Sequence, residues 1–117
     1  MKEPLVSVII INYNGKQYLR NCLKGVFANT YPNYEVIVCD NGSFDTSLEM
    51  INNLIKQRPN LKVVALDKNY GPSYARNKGV AVAKGKYLAF LDNDTKPEKD
   101  WLNEPIKEME QDATIGA

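Results

Sequence analysis

The sequence predicts an α/β fold, a three-layer αβα domain built on a mostly parallel sheet of about four strands. Three observations predict it. Four short runs are rich in apolar and β-branched residues, a polar turn sequence follows each run, and apolar residues at helical spacing come next. Because strand and helix alternate four times, each crossover contains a helix, and such crossovers join parallel strands with helices on both faces. The 117 residues make one domain.

The four apolar runs are the predicted strands. The first is β-branched and nearly continuously apolar, as is typical of a strand buried on both faces of a parallel sheet, and the second and fourth are also predicted to be buried. Gly, Pro, Asn or Asp lies within two residues of each end, and these residue types favour turns. The predicted strands are residues 6–11 (VSVIII), 34–39 (YEVIVC), 61–66 (LKVVAL) and 87–91 (YLAFL).

The first two helices are predicted from apolar residues three and four positions apart. The first lies near residues 16–29 and ends before Pro32. The second is expected to be capped by Ser43 or Asp45 and to end before Pro59. Their apolar faces comprise Leu19, Cys22, Leu23, Val26 and Phe27 in the first, and Leu48, Ile51, Leu54 and Ile55 in the second.

Prolines mark the predicted starts of the other two helices, because proline is favoured at the first helical position. Pro72 begins the third helix, which Gly85 is expected to stop. Pro97 is expected to open the last helix, and Pro105 to bend or split it. The third helix is expected to bury Ala75, Gly79, Val82 and Ala83, and the last is expected to contain Trp101, Leu102, Ile106 and Met109.

Composition excludes several classes of function. The 15 Lys and Arg residues nearly balance 14 Asp and Glu residues, and this net charge of +1 argues against a nucleic-acid binder. Histidine is absent, which excludes a His base, nucleophile or metal ligand. Cys22 and Cys39 lack CxxC spacing and are interpreted as core thiols of a reducing compartment. No apolar run approaches the roughly 20 residues of a membrane span, so we expect a cytoplasmic location.

Polar side chains follow every predicted strand. The carboxyl ends of parallel strands share one edge of the sheet, where ligands bind, so we expect these residues to form one site. Asp92 and Asp94 are two apart on an extended backbone and should face the same side. Carboxylates without His or Cys nearby suit a hard cation such as Mg²⁺ or Mn²⁺, which also takes phosphate oxygens. The strand-end residues are Asn12, Tyr13, Asn14, Asp40, Asn41, Asp67, Asn69, Asp92, Asn93 and Asp94.

Each piece of this site also has a purely structural interpretation. Asp92 and Asp94 could form a turn or cap a helix, and residues 40–43 could be a turn that caps the next helix. Tyr13 could be a packing aromatic, and Arg76 a solvated surface charge on the third helix. Their joint occurrence in order at the strand ends favours a functional site.

Four motifs resemble those of the family 2 glycosyltransferases. They are VSVIIINYNGKQYLRNCL, TYPNYEVIVCDNGSFDTS, NYGPSYARNKGVAVAKGKYLAFLDNDT and the trailing Trp101 and Leu102. They run in family order from Val6 to about Leu102. The resemblance implies the GT-A fold, of which this chain is the Rossmann-like, N-terminal half that binds a nucleotide sugar.

The resemblance implies roles for individual residues. The family holds the nucleobase and ribose with the turn after the first strand, here Asn12 and Tyr13, with Tyr13 against the base. Asp40 matches a carboxylate that accepts a hydrogen bond from uracil or a related base, and Arg76 matches a basic residue near the nucleotide. The implied partner is a nucleotide-diphosphate sugar of UDP or dTDP type. Asn41 departs from a frequent second Asp, which leaves the identity of the base open.

The DxD motif of the family is matched by Asp92, Asn93 and Asp94. By resemblance, Asp92 serves the ribose or the water shell of the metal, and Asn93 lies at the nucleotide. Asp94 ligates Mn²⁺ or Mg²⁺ between the two phosphates, so Asp94 and Asp92 are the implied metal residues. Such a cation stabilises the charge of the leaving diphosphate, while a separate carboxylate deprotonates the acceptor hydroxyl.

The implied activity is hexosyl transfer, with inversion, to an acceptor that the sequence does not identify. Only 23 residues follow Asp94, whereas the family continues with acceptor-binding strands and the catalytic base. We therefore expect a single domain over residues 1–117 that is truncated before the acceptor region and inactive alone. Exposed apolar surface would then favour self-association. A longer parent protein could act at the inner membrane face.

No catalytic residue is assigned, because the carboxylates of the last helix are interpreted as a solvated face. Two alternatives stay open. One is a non-catalytic nucleotide-binding module that acts through a partner chain. The other is a phosphoacceptor domain, which would need a strand-end Lys, and Lys68 lacks that context.

Overall fold

Strands and helices alternate along the whole described chain. The computed structural model describes the backbone of residues 3–116 and the side chains of residues 3–111. Its elements are β1 (Val6–Asn12), α1 (Lys16–Phe27), β2 (Tyr34–Asp40), α2 (Ser47–Ile55), β3 (Leu61–Ala65), α3 (Pro72–Val82), β4 (Tyr87–Asp92) and α4 (Asn103–Gly116). The alternation confirms the four strand–helix units predicted from the sequence.

The four strands form one parallel sheet in the order β3-β2-β1-β4. At the carboxyl end of the sheet, Asn12 pairs with Asp40, and Ile11 pairs with Asp92. The register therefore brings the polar ends of β1, β2 and β4 to one edge.

Helices cover both faces of the sheet, which confirms the αβα arrangement. One face carries Val6, Val8 and Ile10 and packs against α1, α2 and the start of α4. The opposite face carries Ile9, Ile37 and Cys39 and packs against Ala75 of α3. Helix α3 lies very close to this face, because a Cβ added to Gly79 would stand 2.6 Å from Sγ of Cys39.

Strand β4 departs from the prediction that Asp92 and Asp94 follow a buried strand. Leu88 is 38% exposed and Phe90 is 46% exposed, and exposure alternates along β4. In the described part of the chain β4 pairs with β1 alone, and α3 covers the central strands rather than this edge. Strand β4 is therefore an edge strand with one open face.

The last helix begins at Asn103 and not at Pro97, so that prediction was wrong. The segment before it is held by α1 and by the turn after α1. The Thr30 amide donates to the Lys99 carbonyl at 2.6 Å, and a Cβ on Gly25 would stand 2.9 Å from Cδ of Pro97. Pro105 lies in the first turn of α4, where backbone amides have no intrahelical partner, so it does not split the helix.

The end of α3 also differs from the prediction. The helix ends at Val82, which is 43% exposed rather than buried, and Ala83 is already extended. Gly85 lies beyond the helix and serves close packing instead, because a Cβ there would stand 2.6 Å from the backbone nitrogen of Ser7. Within residues 3–116, none of the helices combines the length and the apolar character that crossing a bilayer requires.

Candidate functional site

An open cavity of about 390 Å³ lies beyond the carboxyl ends of the strands. It brings together four of the predicted site residues, Tyr13, Asp92, Asn93 and Asp94, and two further strand-end residues, Asn41 and Asn69. The remaining lining residues are Ile11 and Pro72. Asn12, Asp40 and Arg76 are not among the lining residues.

Asn12 does not line this cavity but contacts one of its lining residues, Asn93. Its side chain is fully buried, and its Nδ2 donates to Oδ1 of Asp40 at 3.0 Å and to Oγ of Ser43 at 3.3 Å. Its Oδ1 accepts a hydrogen bond from Nδ2 of Asn93 at 2.9 Å. Since its donor and acceptor are both used inside the protein, Asn12 holds the residues around it in place.

Asp40 is equally buried and is held by the turn that follows β2. The amide of Ser43 donates to Oδ2 of Asp40 at 3.0 Å, and the Ser43 hydroxyl donates to Oδ1 at 2.8 Å. The same hydroxyl oxygen accepts from the amide of Asn14 at 2.8 Å. Ser43 therefore joins the turns after β1 and β2 and does not cap α2.

Of the two predicted caps of α2, Asp45 is the one at the start of the helix. Its Oδ1 accepts from the amide of Ser47 at 3.0 Å, and its Oδ2 from the amide of Lys16 at 3.0 Å. Burial acts to raise the pKa of Asp45, but the hydrogen bonds from Ser47 and Lys16 outweigh it and lower that pKa. Between Asp45 and α2, Thr46 adopts the left-handed conformation at φ 67°.

Asn41 fixes the loop that forms the opposite wall of the cavity. Its Oδ1 accepts from the amide of Tyr70 at 3.0 Å, and its Nδ2 donates to the carbonyl of Gly71 at 3.1 Å. A carboxylate could accept the first bond but not donate the second. The loop around Tyr70 and Gly71 therefore explains why position 41 is Asn and not the Asp that is frequent there.

Gly42 allows that loop to approach. Its φ of 77° is left-handed, and a Cβ there would stand 2.5 Å from the Cα of Lys68. Any side chain at this position would push the two turns apart.

The carboxylates of Asp92 and Asp94 are exposed at the cavity, above a buried thiol of α1. The thiol of Cys22 donates to the Asp92 carbonyl at 3.7 Å. Burial, followed by the charges of Asp94 and Asp92, raises the pKa of Cys22 to about 11. The thiol is therefore neutral at physiological pH in the chain without a bound cation.

These two carboxylates fit a divalent cation that is bound together with its substrate. No group of three or more His, Cys, Asp or Glu side chains in the described residues could hold a metal by itself. Mg²⁺ and similar hard cations are commonly held by one or two carboxylates, with phosphate oxygens and water completing the coordination. The oxygen donors and the open cavity suit that mode of binding.

Arg76 lies on a second, smaller cavity of about 200 Å³ beside the first. Its guanidinium lies 5.2 Å from the ring centroid of Phe90. Ile11 and Asp92 line both cavities, whereas Tyr13 and Asp94 line the first and not the second. The structure thus places Arg76 in a cavity that shares Asp92 of the DxD motif, apart from Tyr13 and Asp94.

The chain has an α/β fold with a cavity next to paired carboxylates at the carboxyl edge of a parallel sheet, which is where such folds bind ligands. The family profile described as "Glycosyl transferase family 2" matches residues 7–117, which is nearly the whole chain. The chain belongs to glycosyl transferase family 2. This membership confirms the resemblance carried by the four sequence motifs.

Similar proteins are glycosyltransferases. An uncharacterised glycosyltransferase of Haemophilus influenzae is 38% identical over 115 residues, which cover 98% of this chain and 46% of that protein. Glycosyltransferase AglE of Haloferax volcanii is 40% identical over 105 residues, covering 88% of this chain and 34% of AglE. The chain thus spans less than half the length of these relatives.

Solved structures confirm the fold class, the αβα part of a GT-A glycosyltransferase. TarS of S. aureus, in complex with UDP-GlcNAc, superimposes with a TM-score of 0.84 at 29% identity, over 92% of this chain and 32% of that chain. Mannosyltransferase PcManGT of Pyrobaculum calidifontis, in complex with GDP-Man and Mn²⁺, superimposes with a TM-score of 0.79 at 26% identity, over 90% of this chain and 34% of that chain.

Proposed function

We propose that this chain is the donor-binding part of an inverting hexosyltransferase that uses a nucleotide-diphosphate sugar and Mn²⁺ or Mg²⁺. The observation that carries the proposal is the single cavity in which Tyr13, Asp92 and Asp94 lie together. Structural neighbours bound to UDP-GlcNAc, or to GDP-Man with Mn²⁺, support it. The acceptor is not identified.

Asp94, with Asp92 beside it, is proposed to hold the divalent cation. When bound, the cation supplies Lewis-acid stabilisation of the negative charge that develops on the leaving diphosphate. Asn93 lies between the two carboxylates and is held from below by Asn12. This hydrogen bond fixes the backbone that presents both carboxylates to the cavity.

The nucleobase is proposed to lie against Tyr13 with Asp40 beneath it. Asp40 accepts three hydrogen bonds, from Asn12 and twice from Ser43. A carboxylate has about four lone-pair sites, so capacity for one further donor remains. The N3–H of uracil or thymine is such a donor, which favours UDP- or dTDP-linked sugars. Because Asp40 is buried and does not line the cavity in the free chain, this contact requires the turns around Asp40 to move when the base binds.

Arg76 is proposed to bind the nucleotide from the second cavity, which shares Asp92 with the first. A guanidinium pairs well with phosphate oxygens, and its position over Phe90 leaves it beside the DxD motif. We propose a cytoplasmic location, where nucleotide sugars are the donor pool.

Sugar transfer is proposed to require more sequence than these 117 residues, since the chain spans 46% or less of the similar glycosyltransferases. The carboxylates that line the cavity, Asp92 and Asp94, are assigned to the cation, which leaves none there to deprotonate an acceptor. Alone, the chain should bind a donor without transferring its sugar. The open face of β4, with Leu88 and Phe90, is the surface proposed to favour self-association.

Calorimetric titration of UDP, with and without Mn²⁺, tests the metal site. We expect Mn²⁺ to increase the affinity of the parent chain for UDP and Asp94→Ala to abolish that increase without changing the circular dichroism spectrum. Asp100→Ala removes an exposed carboxylate outside the cavity and should bind like the parent. If Asp94→Ala and the parent bind UDP equally in Mn²⁺, the assignment is wrong.

The base assignment is tested by comparing UDP with CDP, because cytosine carries no proton on N3. A hydrogen bond to a charged group is worth on the order of 1.5–3 kcal/mol, so UDP should bind at least about tenfold more tightly. Asp40→Asn should reduce the difference. Equal affinity of the parent for UDP and CDP would contradict this role of Asp40.

A further inference from the structure

We propose that Phe44 is a positioning residue for the nucleobase, acting through Tyr13; this inference rests on the proposed function. Phe44 lies in the loop between β2 and α2 and is 80% exposed. Its ring centroid is 6.2 Å from that of Tyr13, with the ring planes at 80°. This is the edge-to-face contact that aromatic pairs prefer.

The exposure of Phe44 makes a role in core packing untenable. A Phe side chain stabilises a fold in proportion to the apolar surface it removes from water, and a ring with four fifths of its surface in water gains little from this. The ring contact known for Phe44 is the one with Tyr13, which lines the cavity. The side chain therefore contributes to the site rather than to the stability of the fold.

The backbone holds Phe44 in position through the turn after β1. The amide of Phe44 donates to Oδ1 of Asn14 at 2.8 Å, while the amide of Asn14 donates to Oγ of Ser43 at 2.8 Å. Asn14 adopts the left-handed conformation at φ 50°, which Asn tolerates better than most residues. The two turns that carry Tyr13 and Phe44 thus form one hydrogen-bonded unit.

The T-shaped contact leaves at least one face of the Tyr13 ring open, whichever ring presents its edge. Tyr13 is 43% exposed, so its open surface is available at the cavity. A ring already held by its neighbour loses less rotamer freedom when a base stacks on it. Phe44 should therefore increase the affinity for the base without touching the diphosphate.

The test uses variants of Phe44 and ligands with and without a base. Phe44→Ala removes the ring, Phe44→Tyr keeps it, and Tyr18→Ala removes an exposed aromatic of α1 as a matched control. The ligands are UDP, GDP and pyrophosphate, each titrated in Mn²⁺. From the strength of aromatic pairs, Phe44→Ala should weaken UDP and GDP by about 3- to 10-fold. Pyrophosphate affinity should not change, and Phe44→Tyr should restore nucleotide binding.

Four results would overturn the proposal. Parent-like binding of both nucleotides by Phe44→Ala would show that the ring contact has no effect on the base. An equal loss for pyrophosphate would show that the loop was displaced as a whole. Failure of the parent chain to bind any nucleotide would refute the proposed function as well. Nucleotide binding by the parent that Phe44→Ala leaves unchanged would refute the role of Phe44 alone. In the free protein, proton NMR should show a shift of the Tyr13 ring signals in Phe44→Ala, and unchanged signals would also contradict the proposal.

Discussion

The side-chain amide of Asn12 donates a hydrogen bond to the carboxylate of Asp40 at 3.0 Å, and both side chains are buried. The carbonyl oxygen of the same amide accepts a hydrogen bond from Asn93 at 2.9 Å. One buried side chain therefore connects the end of β2 with the DxD segment after β4. The residues proposed to contact the base and the metal are thus held by a common support.

Replacing Asn12 by Ala should impair both ligand binding and stability. Asp40 and Asn93 would each lose a buried partner, and unsatisfied buried groups cost about 1–3 kcal/mol. We expect a loss of this size in the free energy of unfolding in urea, together with weaker Mn²⁺-dependent binding of UDP. Asn53→Ala, at an exposed position of α2, should change the unfolding free energy by less than about 0.5 kcal/mol. Parent-like UDP affinity in Asn12→Ala would refute the common support.

A second buried network lies at the amino ends of the strands and connects the α3–β4 segment to β1 and β2. Glu35 accepts hydrogen bonds from the Ser7 hydroxyl at 2.6 Å, the Lys84 amide at 2.7 Å and the Lys62 ammonium at 2.7 Å. Burial acts to raise the pKa of Glu35, but these hydrogen bonds outweigh it and lower the pKa below its ordinary 4.5.

Stability should therefore fall in acid, and Glu35 should contribute to the fall. A carboxyl with a lowered folded-state pKa stabilises the fold above its unfolded value of about 4.5, and this contribution is lost as the pH falls through the folded value. Glu35→Gln should lower the unfolding free energy at pH 7 by about 1–3 kcal/mol and flatten its dependence on pH below 4.5. Urea unfolding between pH 3 and 7 measures both.

Glu110→Gln is the control for this prediction, because Glu110 forms an ion pair with Lys86 at the surface. Such pairs contribute about 0–1 kcal/mol. If Glu35→Gln and Glu110→Gln lower the free energy of unfolding equally at pH 7, the buried network of Glu35 contributes no more to stability than a surface ion pair.

The two cysteines should be unreactive in the native protein and should destabilise it at high pH. Burial raises the pKa of Cys39 from its ordinary value of 9.0 to about 11. Burial, together with the nearby charges of Asp94 and Asp92, raises the pKa of Cys22 by the same amount. Neutral thiols are poor nucleophiles, so iodoacetamide at pH 8 should modify them only after unfolding in urea. Rapid alkylation of the native chain would contradict their buried state.

The raised pKa of the two thiols also predicts how the stability of the fold depends on pH. A raised pKa means that the neutral thiols stabilise the fold fully below about pH 9, and that this contribution is lost as the pH rises towards 11. The free energy of unfolding should fall over this range. The double variant Cys22→Ala and Cys39→Ala should show a shallower fall, which separates the thiols from Tyr and Lys groups that titrate nearby.

The sequence alone determined the order of the elements and the edge of the sheet at which the site lies. β-Branched runs and helical periodicity depend on neighbours within a few positions, and parallel strands bring their carboxyl ends together whatever the details of packing. For this reason the positions of Tyr13, Asp92, Asn93 and Asp94 along the chain were enough to predict that they share one cavity.

Tertiary structure alone decided which strand-end residues face that cavity. Asn12 and Asn93 are 81 positions apart, and Asn12 and Asp40 are 28 apart, so no local pattern shows that their side chains bond to each other. The start of α4 depends in the same way on the contact of Pro97 with Gly25, and the position of Arg76 depends on the ring of Phe90. Local periodicity reports which face of an element is apolar, whereas the partners of a polar side chain depend on the packing of segments far apart in the chain.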